Sequence, residues 1–173
     1  QTAQRPVVLA ANGAYDVTRE DLERLIEVTH LPLLAEEMGR GIVSDDHPYC
    51  FGFYDSGLNW AARLLSEADV VLLLGRKQDL ILGYAMAPTI AADARIIQVD
   101  PSPVEIGRNR GVAVGITGDI EAVVAQLTPE AAKFEWRELE WLQQLQAERE
   151  AQEEWLTTLA VPEVPMHATH VHK

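Results

Sequence analysis

Gly75-Arg76, Asp100 and Asp119 are the residues with which this chain could hold an anionic, sugar-bearing ligand. A glycine lets a ligand approach the backbone, and an arginine presents a planar fork of donors that matches a diphosphate. A carboxylate at the end of a strand, as Asp100 would be, can accept from ribose hydroxyls, and Asp119 can meet the adenine or ribose side. Each position also has a plain structural reading. Arg76 can be a surface residue in a turn, Asp100 can close a turn onto Ser102-Pro103, and Asp119 can cap a helix. Sequence alone leaves both readings open.

Nothing presents itself for catalysis or for holding a metal. Cys50 is the sole cysteine and reads as a small buried filler, with no histidine base paired to it. Ser56, between Asp55 and Gly57, lacks the nucleophile-elbow pattern. His167, His170 and His172 stand close together, but no cysteine or carboxylate is arranged to finish a metal site, so they read as linker residues. His30 and His47 are isolated. Asn12-Gly13 is not followed by the rest of a G-x-G-x-x-G, Gly39-Arg40-Gly41 does not complete one, and there is no G-x-x-x-x-G-K-[ST]. A conventional NAD-dependent dehydrogenase or P-loop nucleotidase is therefore disfavoured.

The candidate residues need elements to position them. Asp69 to Leu74 is the clearest strand; its run of Val and Leu has no polar alternation, as expected where helices cover both sheet faces. Further strands are predicted over Pro6–Ala11, Leu31–Ala35, Arg95–Val99 and Val112–Ile116, with Tyr49–Tyr54 ambiguous. Thr18 with Asp21 opens a helix carrying Leu22, Leu25 and Ile26 on one stripe. A second helix is predicted over Gly57–Glu67 with Leu58, Ala61, Ala62 and Leu65 inward, a helical turn over Val104–Gly107, and a third helix from Asp119 through Leu127. Such alternation predicts an α/β fold: three layers around a mainly six-stranded parallel, Rossmann-like sheet. Residues 130–160, rich in Glu, Gln, Ala and Leu, are expected to form one long acidic helix with an apolar seam of Trp136, Leu139, Leu142 and Leu145. It packs either on its own domain or on a partner. The domain organisation is thus 1–129 as an α/β nucleotide-type unit, 130–160 as the long helix and 161–173 as a linker tail.

Composition bounds the partners. The 173 residues carry 14 basic and 27 acidic side chains, a formal net charge of −13. Such a surface argues against wrapping a nucleic-acid backbone or an anionic membrane, while one arginine beside a helix N-terminus can still hold a small phosphate. Hydrophobic residues make up 47% of the chain, enough for a substantial core. No apolar run reaches membrane-spanning length. Gln1–Pro6 has the look of an interdomain linker, with no signal-peptide pattern. A single cysteine makes a cytoplasmic location the expectation.

The ordered combination of short stretches resembles a known family. Arg5-Pro6-Val7-Val8-Leu9-Ala10 opens the chain, followed by Leu31-Pro32-Leu33, Met38-Gly39-Arg40-Gly41 and Asp46-His47-Pro48. Glu67-Ala68-Asp69 then leads through the strand to Gly75-Arg76, and Ile96-Ile97-Gln98-Val99-Asp100, Glu105-Ile106-Gly107-Arg108-Asn109, Gly118-Asp119 and Val164-Pro165-Met166-His167 complete the set. The chain resembles the central domain of thiamin-diphosphate-dependent enzymes of the acetolactate synthase, oxalyl-CoA decarboxylase and 2-hydroxyacyl-CoA lyase type.

That resemblance implies a six-stranded parallel unit flanked by a pyrimidine-binding and a diphosphate-binding domain in a homodimer. The parent would act on a carbon–carbon bond next to a carbonyl, as decarboxylase, carboligase or lyase. Thiamin diphosphate and magnesium would belong to the parent, since the family's catalytic glutamate lies in the first flanking domain and its G-D-G…N-N motif in the last; the isolated segment is then expected to be inactive. FAD or ADP would be the central domain's own ligand, with Gly75 and Arg76 at the diphosphate, Asp100 at the ribose and Asp119 on the adenine side. Two stretches depart from the family pattern. Ala11-Asn12-Gly13 stands where a glycine-rich turn is common, and Lys77-Gln78-Asp79-Leu80 replaces phenylalanine-asparagine-tryptophan or paired aspartates. The competing reading is a non-catalytic nucleotide-binding or interaction module.

Overall fold

The structure, a computed structural model, describes residues 2–160 and 168. Strands β1 (Pro6–Ala10), β2 (Leu33–Ala35), β3 (Cys50–Phe53), β4 (Val70–Leu74), β5 (Arg95–Asp100) and β6 (Val114–Thr117) form one sheet in the order β3-β2-β1-β4-β5-β6. Every neighbouring pair is parallel. The sheet is the expected Rossmann-like one, and the ambiguous stretch before Tyr54 is its edge strand β3. At the centre, Pro6 to Ala10 run beside Val70 to Leu74 in continuous register.

Alternate residues of the central strands feed two separate cores. Val8, Leu72, Leu74 and Val99 face one side. There they meet Leu22, Leu25 and Ile26 of α1 (Arg19–Thr29) and Ile120 and Val124 of α3 (Ile120–Ala131). Val7, Leu9, Val71, Leu73 and Ile96 face the other. They pack on Ala61 and Ala62 of α2 (Trp60–Arg63) and on Trp141, Leu142 and Leu145 of α4 (Glu140–Leu159). Removing a leucine such as Leu9 or Leu73 from water contributes about 2 kcal/mol, so two covered faces are what hold strands this short.

Local signals set the helix starts. The Thr18 hydroxyl accepts from the Asp21 amide at 3.2 Å and donates to its carboxylate at 2.6 Å. Asp119 likewise accepts from the Ala122 amide at 3.0 Å, so it caps α3 as its plain reading had it. Between Gly57 and Glu67 the expected helix is shorter. Asn59 caps α2, accepting from Ala61 and donating to the Phe51 and Phe53 carbonyls, and a 3₁₀ turn follows over Leu64–Glu67. Leu58, expected inward, precedes that cap and is exposed. The stretch from Val104 to Gly107 forms turns, not a helical element.

The expected long C-terminal helix is present, but it occupies Glu140–Leu159 and does not fill 130–160. Helix α3 continues through Pro129 to Ala131, the chain is irregular until Leu139, and α4 begins at Glu140. The reason is tertiary. Helix α3 covers one face of the sheet and α4 the other, so the chain must turn under the amino ends of the strands. Two indoles fix that turn: Trp136 donates to the Ala131 carbonyl at 2.8 Å, stopping α3, and Trp141 donates to the Pro6 carbonyl at 3.0 Å, seating α4. Trp141, Leu142 and Leu145 of α4 lie in the core of this domain.

Candidate anion site at the carboxyl ends of the central strands

Strand order reverses direction at β1, so the crevice between the loops after β1 and β4 is where an open α/β sheet places a ligand. Here backbone fills it. The Gly13 amide donates to the Gly75 carbonyl at 3.1 Å, and the Gly75 amide donates to the Val99 carbonyl at 2.9 Å. Gly75 has φ +60°, and a Cβ placed on it would lie 2.4 Å from Gly13 atoms. Glycine is thus required at 75 by the contact between two loops.

Arg76 is 3% exposed; four of its five N–H donors are hydrogen-bonded, and the fifth, on Nε, is in ion-pair contact with Glu36. Nη1 donates to the Lys77 carbonyl at 2.8 Å and to Asp79 Oδ2 at 3.0 Å. Nη2 donates to Asp79 Oδ1 at 2.8 Å and to Glu36 Oε1 at 2.9 Å, while Nε faces Glu36 Oε2. Glu36, 1% exposed, is brought to the site by its position just after β2, its amide bonded to the Ala10 carbonyl. The Arg76 hydrogen bond, ahead of its charge and the Ile81 and Leu82 amides, holds the Asp79 carboxyl below its ordinary value against a smaller opposing effect of burial.

The neighbouring strand ends complete the cluster. Asp100 is buried and accepts from the Ser102 amide at 2.8 Å, so it closes the turn its plain reading assigned. The Gly118 amide donates to the Asp100 carbonyl, which brings Asp119 to the adjacent strand end. Glu105 holds both Lys77 and Arg108, two largely exposed cations. Beneath them Gln98 accepts from the Gly107 amide, Gln78 accepts from the Arg110 amide, and Asn109 donates to the Gln78 carbonyl at 2.5 Å. Three cations therefore stand among four carboxylates: Arg76, Lys77 and Arg108 with Glu36, Asp79, Asp100 and Glu105.

Sequence reasoning brought Gly75, Arg76, Asp100 and Asp119 to this end of the sheet, and missed Glu36 and Asp79. Asp79 had a usable signal, an acidic residue three positions after an arginine in a turn. Glu36 had none, being forty residues away and placed only by the β1–β2 pairing. Cys50 is buried at the start of β3, and burial pushes its thiol up, consistent with a filler. His167, His170 and His172 lie outside the described residues. Among those described, no group of three or more His, Cys, Asp or Glu side chains could hold a metal ion. At the opposite end of the sheet an apolar groove of about 680 Å³ lies between α1 and α3, lined by Leu25, Leu31, Val70, Leu72 and Trp136. No described helix is long and apolar enough to cross a membrane.

Residues 1–127 match the family model described as thiamine pyrophosphate enzyme, central domain. The chain is 35% identical over 157 residues to 2-hydroxyacyl-CoA lyase 1 of Homo sapiens, covering 88% of this chain and 26% of that protein. It is 37% identical over 121 residues to oxalyl-CoA decarboxylase of Escherichia coli K12, covering 68% and 20%. With a probable acetolactate synthase large subunit of Methanococcus aeolicus it shares 35% over 129 residues, covering 73% and 21%. The chain spans about a quarter or less of the length of these relatives.

Proposed function

Because the chain belongs to the thiamine pyrophosphate enzyme family as a central domain, we propose that it is the middle unit of a longer, homodimeric thiamin-diphosphate-dependent enzyme acting on a carbon–carbon bond next to a carbonyl. In that role it serves as scaffold between a pyrimidine-binding and a diphosphate-binding domain. Its own ligand is the diphosphate of FAD or ADP, received at the carboxyl ends of β4, β5 and β6.

Thiamin diphosphate, when bound, supplies an electron sink for the carbanion left by carbon–carbon cleavage. The residues of this chain do not fit it or its magnesium. No G-D-G…N-N pair occurs in the 173 residues, and the described residues gather no metal-binding group. No step of that chemistry is assigned to this chain.

A nucleotide diphosphate fits the donor chemistry better. The observation that supports it is the meeting of Gly75-Arg76, Asp100 and Asp119 on three adjacent strand ends, tied by the Gly75–Val99 and Gly118–Asp100 backbone bonds. Arg76 orients the diphosphate, Asp100 accepts from the ribose, and Asp119 lies toward the adenine. Lys77 and Arg108, mostly exposed, add charge at the rim.

Calorimetric titration of the chain with ADP, FAD, NAD and coenzyme A tests the reading. Saturable binding of ADP or FAD, weakened at least tenfold in Arg76→Lys, is expected. That variant keeps a cation beside Glu36 while losing the fork, so a folded protein is retained for comparison. No binding by any of the four, or binding indifferent to Arg76, would remove the nucleotide site and leave the scaffold role.

A further inference from the structure

Arg76 has all four Nη donors hydrogen-bonded and its buried Nε against the Glu36 carboxylate. Two of its five donors go to Asp79, one to the Lys77 carbonyl and two face Glu36. Any anion that reaches this guanidinium must therefore take the place of a partner already there. Glu36 is a poor candidate for release: its side chain is 1% exposed, and a carboxylate left there without its cation would be stranded away from water. The Lys77 carbonyl is part of the adjoining backbone. Asp79 differs from both, because its side chain is 42% exposed and its carboxylate can be rehydrated on turning outward.

Asp79 is also the anchor of the turn that follows. Its Oδ1 accepts from the Ile81 amide at 3.0 Å and from the Leu82 amide at 3.3 Å, and its carbonyl accepts from the Tyr84 amide at 2.7 Å. Gly83, Tyr84 and Ala85 all have φ near +57°, a region that costs a non-glycine residue energy and persists only where its surroundings enforce it. The same turn presents Leu80, Ile81, Tyr84 and Met86 to solvent. One carboxylate thus ties the arginine to a strained, apolar turn.

We propose that Asp79 is a built-in competitor for the phosphate site. Its two oxygens occupy the Arg76 donors that a phosphate would use, and ligand binding exchanges Asp79 off the guanidinium and frees the turn from Ile81 to Met86. This rests on the nucleotide reading above and adds to it a residue that sets the affinity threshold and couples occupancy to an exposed apolar surface.

The experiment is ADP titration of the wild-type chain, Asp79→Asn and Glu105→Gln, with hydrogen exchange at the Ile81 and Leu82 amides read with and without saturating ADP. Asparagine keeps an oxygen for those amides but gives up the charge that competes for Arg76. About tenfold tighter binding is expected in Asp79→Asn, with faster wild-type exchange at both amides on ADP binding. Glu105→Gln removes the same charge from the same cluster without touching Arg76. An equal gain in both variants would mark a general charge effect and overturn the exchange, as would unchanged or weaker binding in Asp79→Asn, or unmoved amides. If neither the wild type nor Asp79→Asn binds ADP, the nucleotide reading and the competitor fall together. If both bind equally, only the competitor falls.

Discussion

Arg76 and Gly75 sit side by side after β4 and are constrained in different ways. Gly75 is fixed by space: its φ of +60° and the Gly13 backbone leave no room for a Cβ. Gly75→Ala is expected to lower stability by about 2–3 kcal/mol or more, through backbone strain and displacement of the Gly13 loop, measured by urea unfolding. Arg76 is fixed by charge, and its partner Asp79 gives the site an acid limb. Its folded-state carboxyl lies below the ordinary 3.8, so the stability it contributes is fully present above that value. This stability is lost as pH falls through the depressed folded value. Asp79→Asn should therefore flatten part of the decline in melting temperature between pH 5 and about 2, and thermal unfolding across that range checks it. A steeper decline in the variant would contradict the assignment.

At the scale of elements, the capped starts and the crossing under the sheet carry most of the architecture. Loss of the Asn59 side chain in Asn59→Ala removes the α2 cap and two bonds to the β3 carbonyls of Phe51 and Phe53. A cost of about 2 kcal/mol is expected, above that of a cap alone. Trp141, 2% exposed, fills the core between β1 and α4 and donates to Pro6. Trp141→Phe should cost about 1–2 kcal/mol from the missing hydrogen bond and smaller volume. Chemical denaturation resolves both, and a change in Asn59→Ala no larger than a few tenths of a kcal/mol would show that α2 is held by packing alone.

At the scale of the whole molecule, α4 is a structural layer of this domain, even though it follows the 1–127 span of the family match. It covers Phe51, Ala61 and Ala62 together with the sheet, and Gln152 binds the Leu58 carbonyl and the Trp60 amide. A chain ending at residue 139 should expose that face, melt markedly lower and associate at high concentration. Calorimetry and sedimentation velocity test this, and an unchanged melting temperature would return α4 to the role of a partner-facing helix.

The periodic and punctuating signals were sufficient for the sheet. An unbroken run of Val and Leu, caps at Thr18 and Asp119, and glycines after strands are local facts, and local facts survive folding. The same locality explains the failures. Residues 130–160 have helix-favouring composition throughout, yet the break between Ala131 and Glu140 follows from the need to pass from one sheet face to the other, which no window of sequence contains. Leu58 joined a plausible stripe, and Asn59 excluded it by capping one residue later. Family membership was legible in the ordered combination of short stretches, and the end of the sheet at which Gly75, Arg76, Asp100 and Asp119 meet followed from their places just after predicted strands; the strand order came from the structure. Whether Arg76 stands free or already satisfied was decided only by tertiary structure. Its partner Glu36 is forty residues distant, and only the pairing of β1 with β2 and β4 brings that carboxylate against the guanidinium.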